Sequence, residues 1–344
     1  MMWRAGIVGC GRIGCGFDDD PKRKHVSTHA GAYWRMPGVE LAALCDLEEK
    51  NVLRYAGKYG VEGRYTDVEM MLERENLDIL SICTPSASHA EIALAAAANG
   101  IKAIFCEKPI TDSLDAAEEM IRLCDEHGVI LAVDHQRRFD PMHQQIARCL
   151  KDGKLGRLQQ VTCYYTAGVA NTGTHLFDLL RFYLGDVNWV EGSVSANSSR
   201  NDADPNIDAW LGFHDGTLAV IQACDVRAYT IFEVTLLGTK GRLRVGAHGF
   251  QADFEEVRES EKYSGYSELF SAEMPFKTSS SHELLLYGVA HLIDCLERKQ
   301  KPISSGEDGR AALEVICALH QSAVNGRRRI PLLHVTKTLS AASR

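Results

Sequence analysis

Ala5-Gly6-Ile7-Val8-Gly9-Cys10-Gly11-Arg12-Ile13-Gly14 is a short apolar run that ends in three spaced glycines. The spacing is GxGxxG, a weak pattern alone. It gains force here because it follows a strand-like run and opens a strand–helix series, the context of a dinucleotide-binding turn. The first glycine permits the tight turn, the second lets backbone approach a pyrophosphate, and the third lets helix and strand pack closely. Amides at the start of the next helix, around Arg12 and Ile13, would then face the anion.

Outward from this turn, Ala5–Val8, Leu41–Cys45, Ile79–Cys83, Ala103–Cys106 and Val129–Val133 are continuous apolar runs. That character predicts parallel strands covered on both faces. Helical patterns separate them. Thr66 with Glu69, and Ser88 with Glu91, have capping-box spacing. Residues 89–99 and 113–127 predict helices that stop at Gly100 and Gly128. The fold class predicted is α/β: an N-terminal Rossmann domain with a doubly wound parallel sheet over residues 1–134. Residues 135–344 predict an α+β domain with a mostly antiparallel open sheet. Its expected strands are Leu158–Thr166, Val190–Ala196, Ala209–Phe213, Thr217–Ala223, Phe232–Leu237 and Arg242–Val245. Asp215-Gly216 is a hairpin signal. Residues 251–281 are polar and predict loop, and His282–Arg298 and Glu307–Asn325 predict helices.

The second predicted strand ends at Asp46. An acid there accepts hydrogen bonds from ribose hydroxyls and repels a 2′-phosphate, which favours NAD over NADP. Asp46 lies farther from Gly14 than the usual spacing, which Cys15–Thr28 explains if it is an insertion. That segment is strongly charged and reads as a solvated loop, with a lid over cofactor or substrate as the alternative.

Bulk properties narrow the function class. The chain has 344 residues and a formal net charge of −8, which argues against a nucleic-acid surface. No secretory signal is legible and no apolar run is long enough to span a bilayer, so a cytoplasmic protein without a membrane partner is expected. The 11 cysteines are scattered with no CxxC pair. They predict reduced core thiols, not a disulfide framework or a metal centre, with a catalytic cysteine as the lesser alternative.

GCGRIG, then Thr84-Pro85-Ser86-Ala87-Ser88-His89, Glu107-Lys108-Pro109, Arg138-Phe139-Asp140-Pro141 and Gly173-Thr174-His175-Leu176-Phe177-Asp178 occur in this order. The set resembles the glucose–fructose oxidoreductase / inositol dehydrogenase / MocA (Gfo/Idh/MocA) family over nearly the whole chain. From the residues themselves, Lys108 follows a buried parallel strand, the edge where ligands of such sheets bind. The resemblance implies that this lysine hydrogen-bonds the reacting hydroxyl near the nicotinamide of NAD. It also implies a general base at His175, which shares a helix face with Asn171 four residues earlier. Many relatives carry aspartate where Asn171 stands. Asparagine takes no proton, so His175 is left as base and Asn171 as the holder of a substrate hydroxyl. Asp178 either orients His175 or serves structure.

Thr84, Pro85, His89, Glu107 and Lys108 are expected on the cofactor side, His89 having the alternative of an exposed helix start. Arg138 is expected to touch substrate or cofactor, or to pair with a carboxylate. The implied enzyme is an NAD-dependent dehydrogenase acting on a secondary alcohol of a sugar, nucleotide-sugar or cyclic polyol. The Asn-x-Gly-x-His form is similar to that of relatives oxidising the 3-hydroxyl of UDP-linked acetamido sugars. Competing classes are a glycosidase using NAD without net redox change and a non-catalytic dinucleotide sensor. A homo-oligomer, dimer or tetramer, is expected by the same resemblance.

Overall fold

The computed structural model describes residues 2–276 and 282–332. Contacts divide the described residues into two units: residues 2–139 with 282–310, and residues 140–276 with 311–332.

In the first unit, β1 (Trp3–Val8), β2 (Val39–Cys45), β3 (Gly63–Tyr65), β4 (Ile79–Ile82), β5 (Ala103–Cys106) and β6 (Ile130–Val133) form a parallel sheet. Among the described residues its order is β3-β2-β1-β4-β5-β6, the doubly wound arrangement. β4 and β5 are buried at every position, which is why they read as unbroken apolar runs. The helices of the strand–helix series are α1 (His29–Arg35), α2 (Glu49–Tyr59), α3 (Val68–Arg74), α4 (His89–Ala98) and α5 (Leu114–Glu126). The capping boxes are not formed as expected. α3 is capped by Asp67, whose carboxylate accepts from the Glu69 and Met70 amides. Ser88 precedes α4 without a capping bond because its hydroxyl turns back to Thr84 Oγ1 and the Pro85 carbonyl.

The second unit contributes α6 (Pro141–Lys151), β7 (Leu158–Tyr165), α7 (Thr174–Leu184), β8 (Val187–Val194), β9 (Ile207–Phe213), β10 (Leu218–Ala223), β11 (Phe232–Gly238) and β12 (Gly241–Gly246). The last residues of the segment expected as loop, 277–281, lie outside the described residues, and much of the rest instead folds into β13 (Gln251–Glu259) and β14 (Ser267–Ala272). These pair at the edge of the sheet with much of their surface in solvent, so polar side chains are tolerated where a buried strand needs apolar ones. With β15 (Ile330–Pro331), the described sheet runs β14-β13-β12-β11-β7-β10-β9-β8-β15. It is antiparallel apart from the β7–β10 pair.

Helix α8 (Leu284–Arg298) belongs with the first unit, beyond the division expected at residue 134. A Cβ on Gly288 would lie 2.8 Å from the ring of Phe105, so glycine lets α8 approach β5 closely. Phe105 is fully buried beneath it, worth about 1.5–3 kcal/mol. α9 (Gly306–Val324) is the last described helix. Among the described residues no helix is long and apolar enough to cross a membrane.

Candidate active site

The fingerprint turn requires glycine at its two outer positions and leaves the middle one open. Gly9 has φ +96°, and a Cβ there would meet the Cys83 carbonyl at 2.7 Å. A Cβ on Gly14 would stand 2.0 Å from the Gly9 carbonyl oxygen, whereas one on Gly11 would meet nothing within 4 Å. The middle glycine therefore leaves backbone open to a ligand, and the outer two close the turn. The regular helix expected directly after the turn is absent. Arg12–Gly16 forms a π turn, with the Cys15 and Gly16 amides both donating to the Gly11 carbonyl, and Phe17–Asp19 forms a 3₁₀ turn.

The charged insertion is solvent-exposed over Asp19–His25, as expected of a solvated loop, and is anchored by Asp18 and Asp19. Asp18 accepts from the Ser27 amide at 2.7 Å and the Thr28 hydroxyl at 2.5 Å. Thr28 in turn caps α1 by accepting from the Gly31 amide. Asp19 pairs with Lys58 at 2.7 Å and Arg54 at 2.8 Å on α2. The Lys58 hydrogen bond, helped by Tyr55 and Arg54, lowers the Asp19 carboxyl below its ordinary range.

A cavity of about 410 Å³ opens beside the turn, lined by Cys10, Gly11, Arg12, Asn51 and Arg54 among others. Asp46 accepts from two of these lining residues, the Cys10 amide at 2.7 Å and Asn51 Nδ2 at 3.2 Å. The open glycine backbone, the cavity and the carboxylate closing β2 fit the pyrophosphate and ribose of a dinucleotide.

Thr84, Lys108 and Asp134 follow β4, β5 and β6 at the same carboxyl edge. His89 is neither an exposed helix start nor open to a cofactor. It is buried, with Nε2 2.8 Å from the Thr84 carbonyl and Nδ1 3.1 Å from the Ile110 carbonyl. It clasps the loops after β4 and β5 together. Burial lowers its basicity, against the opposing pull of the Thr84 and Ile110 carbonyls. Glu107 is also buried, with Oε1 3.1 Å from His29 Nε2 and Oε2 accepting the Lys108 amide at 3.2 Å. It holds the Lys108 backbone through that amide. Lys108 itself is half-buried. Of the readings open for Arg138, the ion pair is the one present. Its guanidinium is buried 3.1 Å from Asp308 and donates to the Ile303 carbonyl within the first unit.

In the second unit Asn171 lies on a π turn, Val169–Gly173, that runs directly into α7. Its amide donates to Asp204 Oδ2 at 2.9 Å, and the Ala170 amide donates to Asp204 Oδ1 at 2.7 Å. Gly168, with φ +93°, has no room for a Cβ against that carboxylate. Asp204 thus fixes the Asn171 turn, a role that no motif in the sequence announced. His175 on α7 is half-buried and Asp178, one turn on, is buried. π turns recur at functional segments because they re-aim side chains that a regular helix would stack.

The cysteines stand as thiols, and burial raises Cys83 and Cys106 well above the ordinary thiol range. A neutral thiol is a poor nucleophile, which removes these two as catalytic candidates. Among the described residues, His29, Glu107 and Asp134 form the grouping with metal-ligand composition.

Residues 3–135 match the oxidoreductase family model with an NAD-binding Rossmann fold, and residues 143–244 match the GFO/IDH/MocA C-terminal domain. The chain is 31% identical to D-apiose dehydrogenase of Paraburkholderia graminis, over 92% of this chain and 87% of the relative. It is 26% identical to myo-inositol 2-dehydrogenase of Thermotoga maritima, over 90% and 93%. Its fold matches the WlbA dehydrogenase of Bordetella pertussis, solved with NADH and UDP-GlcNAcA. That match has a TM-score of 0.77 and 24% identity, over 96% of this chain and 99% of the other.

Proposed function

The chain belongs to the Gfo/Idh/MocA family of NAD-binding oxidoreductases, and we propose that it moves hydride between NAD and a secondary hydroxyl of a sugar-like or cyclic polyol substrate. The observation that carries this reading is Lys108, set at the carboxyl edge of the parallel sheet in the same unit as the open Gly11 turn. When bound, the nicotinamide supplies the hydride acceptor or donor. Lys108 donates a hydrogen bond to the alcohol oxygen, where negative charge builds as carbon loses hydride. His175 takes the hydroxyl proton, and Asn171 holds a neighbouring hydroxyl without exchanging a proton. Asp46 accepts from the ribose hydroxyls and repels a 2′-phosphate.

The narrower reading is the 3-hydroxyl of a UDP-linked acetamido sugar, suggested by Asn171-Thr172-Gly173-Thr174-His175. The deciding experiment offers NAD or NADP with sugars, inositols and UDP-sugars and follows reduced nicotinamide by absorbance. Turnover with one class and preference for NAD is the expected result. Cleavage of an aryl glycoside without lasting reduction, or NAD binding without turnover on any alcohol, would overturn it in favour of a glycosidase or a sensor.

Cytoplasmic residence goes with this reading and is supported by the thiol state of the cysteines. So does a homo-oligomer, supported by Val194, Trp210, Val257 and Leu269, which the second-unit sheet leaves exposed. Sedimentation is expected to give a multiple of the 38.0 kDa chain mass, and a monomer at all concentrations would refute it.

A further inference from the structure

Behind Lys108 the first unit encloses one more acid than the proposed chemistry uses. The ligand atoms of His29 on α1, Glu107 after β5 and Asp134 after β6 lie within 4.8 Å of one another, and all three residues are buried. His29 is engaged through both ring nitrogens. Nδ1 is 2.8 Å from Ser81 Oγ, which also meets the Tyr33 hydroxyl at 2.8 Å, and Nε2 is 3.1 Å from Glu107. Glu107 is therefore well supplied with donors, counting the Lys108 amide. Asp134 is not: its buried Oδ1 has no hydrogen-bond donor. The neighbouring carboxylate of Glu107 is an acceptor too, unless a proton stands between them.

Two carboxylates sharing a dry site do not both ionise, because their repulsion adds to the cost of desolvating each. The charge settles on the member that receives more hydrogen bonds, and the proton on the other.

We propose that Asp134 holds a proton which it donates to an ionised Glu107, and that Asp134 is thereby a positioning residue for Lys108, whose amide the same Glu107 holds. The functional half of this rests on the reading of Lys108 as the hydroxyl-binding group. The groups facing the pair are His29 and Tyr33 on α1, Cys83 after β4, and Cys106 and Lys108 around the end of β5. Burial keeps Tyr33, Cys83 and Cys106 in their neutral forms. Burial, then the Glu107 charge, raises Asp134 far above the ordinary carboxylate range. Burial works the same way on Glu107, but the hydrogen bond and charge of His29 outweigh it and lower that group. With one negative charge in place of two, the pair anchors the Lys108 backbone without drawing its ammonium inward and away from substrate.

The test uses the full chain with NAD bound. Infrared spectra with labelled aspartate are expected to show the carbonyl band of a protonated carboxylic acid at neutral pH, absent from Asp134→Asn. Asparagine is a neutral donor of the same shape. It is expected to keep kcat within about threefold, with an unmoved pH profile, whereas Asp134→Leu loses about tenfold or more in kcat with little change in KM. The absence of that band, or a shifted profile in Asp134→Asn as an ionised Asp134 would cause, overturns the proposal. So does one bound metal ion per chain that is lost in His29→Ala. The infrared result needs no substrate, so it decides the proton even if the dehydrogenase reading fails, and it stands if Asp134→Leu does not fold.

Discussion

Replacing Lys108 with alanine is expected to lower kcat about 10²- to 10³-fold, about 2.7–4 kcal/mol of lost transition-state stabilisation. The loss falls on kcat more than on KM. On the proposed reading the hydrogen bond from Lys108 strengthens only as charge gathers on the alcohol oxygen, and interactions made chiefly in the transition state govern turnover. NAD affinity is expected to change little, because the fingerprint glycines and Asp46 follow the first two strands of the sheet, away from Lys108 after β5. A thermal shift on adding NAD would therefore persist in the variant, which separates lost chemistry from a lost fold. Lys108→Arg is not expected to rescue it. A planar fork that keeps the charge cannot place a single donor where the flexible ammonium does. Wild-type turnover in Lys108→Ala would refute the assignment.

How much of this was legible depended on where the information lay. The parallel strands were readable because burial on both faces leaves a continuous apolar run, as in Ile79–Ile82. The fingerprint was readable because steric need fixes its outer glycines locally, Gly14 against the Gly9 carbonyl above all. β13 and β14 were missed because edge strands face solvent and admit charged residues, which hides the apolar signal. The placement of α8 was missed for another reason. Its amphipathic pattern says that one face is buried but not against which unit, and the deciding contact is Gly288 on Phe105, far apart in sequence.

The same limit governs the site. Lys108 sits in a motif, whereas His29, Ser81 and Asp134 come from three separate segments and meet only through the sheet topology. Asp204 reaches the Asn171 turn across a long stretch of chain with no pattern to mark it. His89 and Arg138 carried chemistry-bearing side chains inside motifs, yet both are buried and engaged by neighbouring protein groups. A motif locates a functional segment, but burial decides which of its side chains are spent on holding it.

His175→Ala is expected to lower kcat about 10²- to 10⁴-fold, the range typical of a positioned general base. The base must be unprotonated to accept the hydroxyl proton. Alcohol oxidation in the wild type is therefore expected to fall as pH drops through the titration of that histidine. In His175→Ala this acid limb disappears and the remaining rate rises with hydroxide. Carbonyl reduction needs the protonated form and should show the opposite slope. Added imidazole would restore part of the oxidation rate if only the base is missing, an effect that a purely structural histidine would not produce. If both groups act on one hydroxyl in one step, as proposed, the double variant Lys108→Ala/His175→Ala is expected to lose far less than the product of the single losses. Fully multiplicative losses, or an acid limb that survives in His175→Ala, would assign the proton to another group.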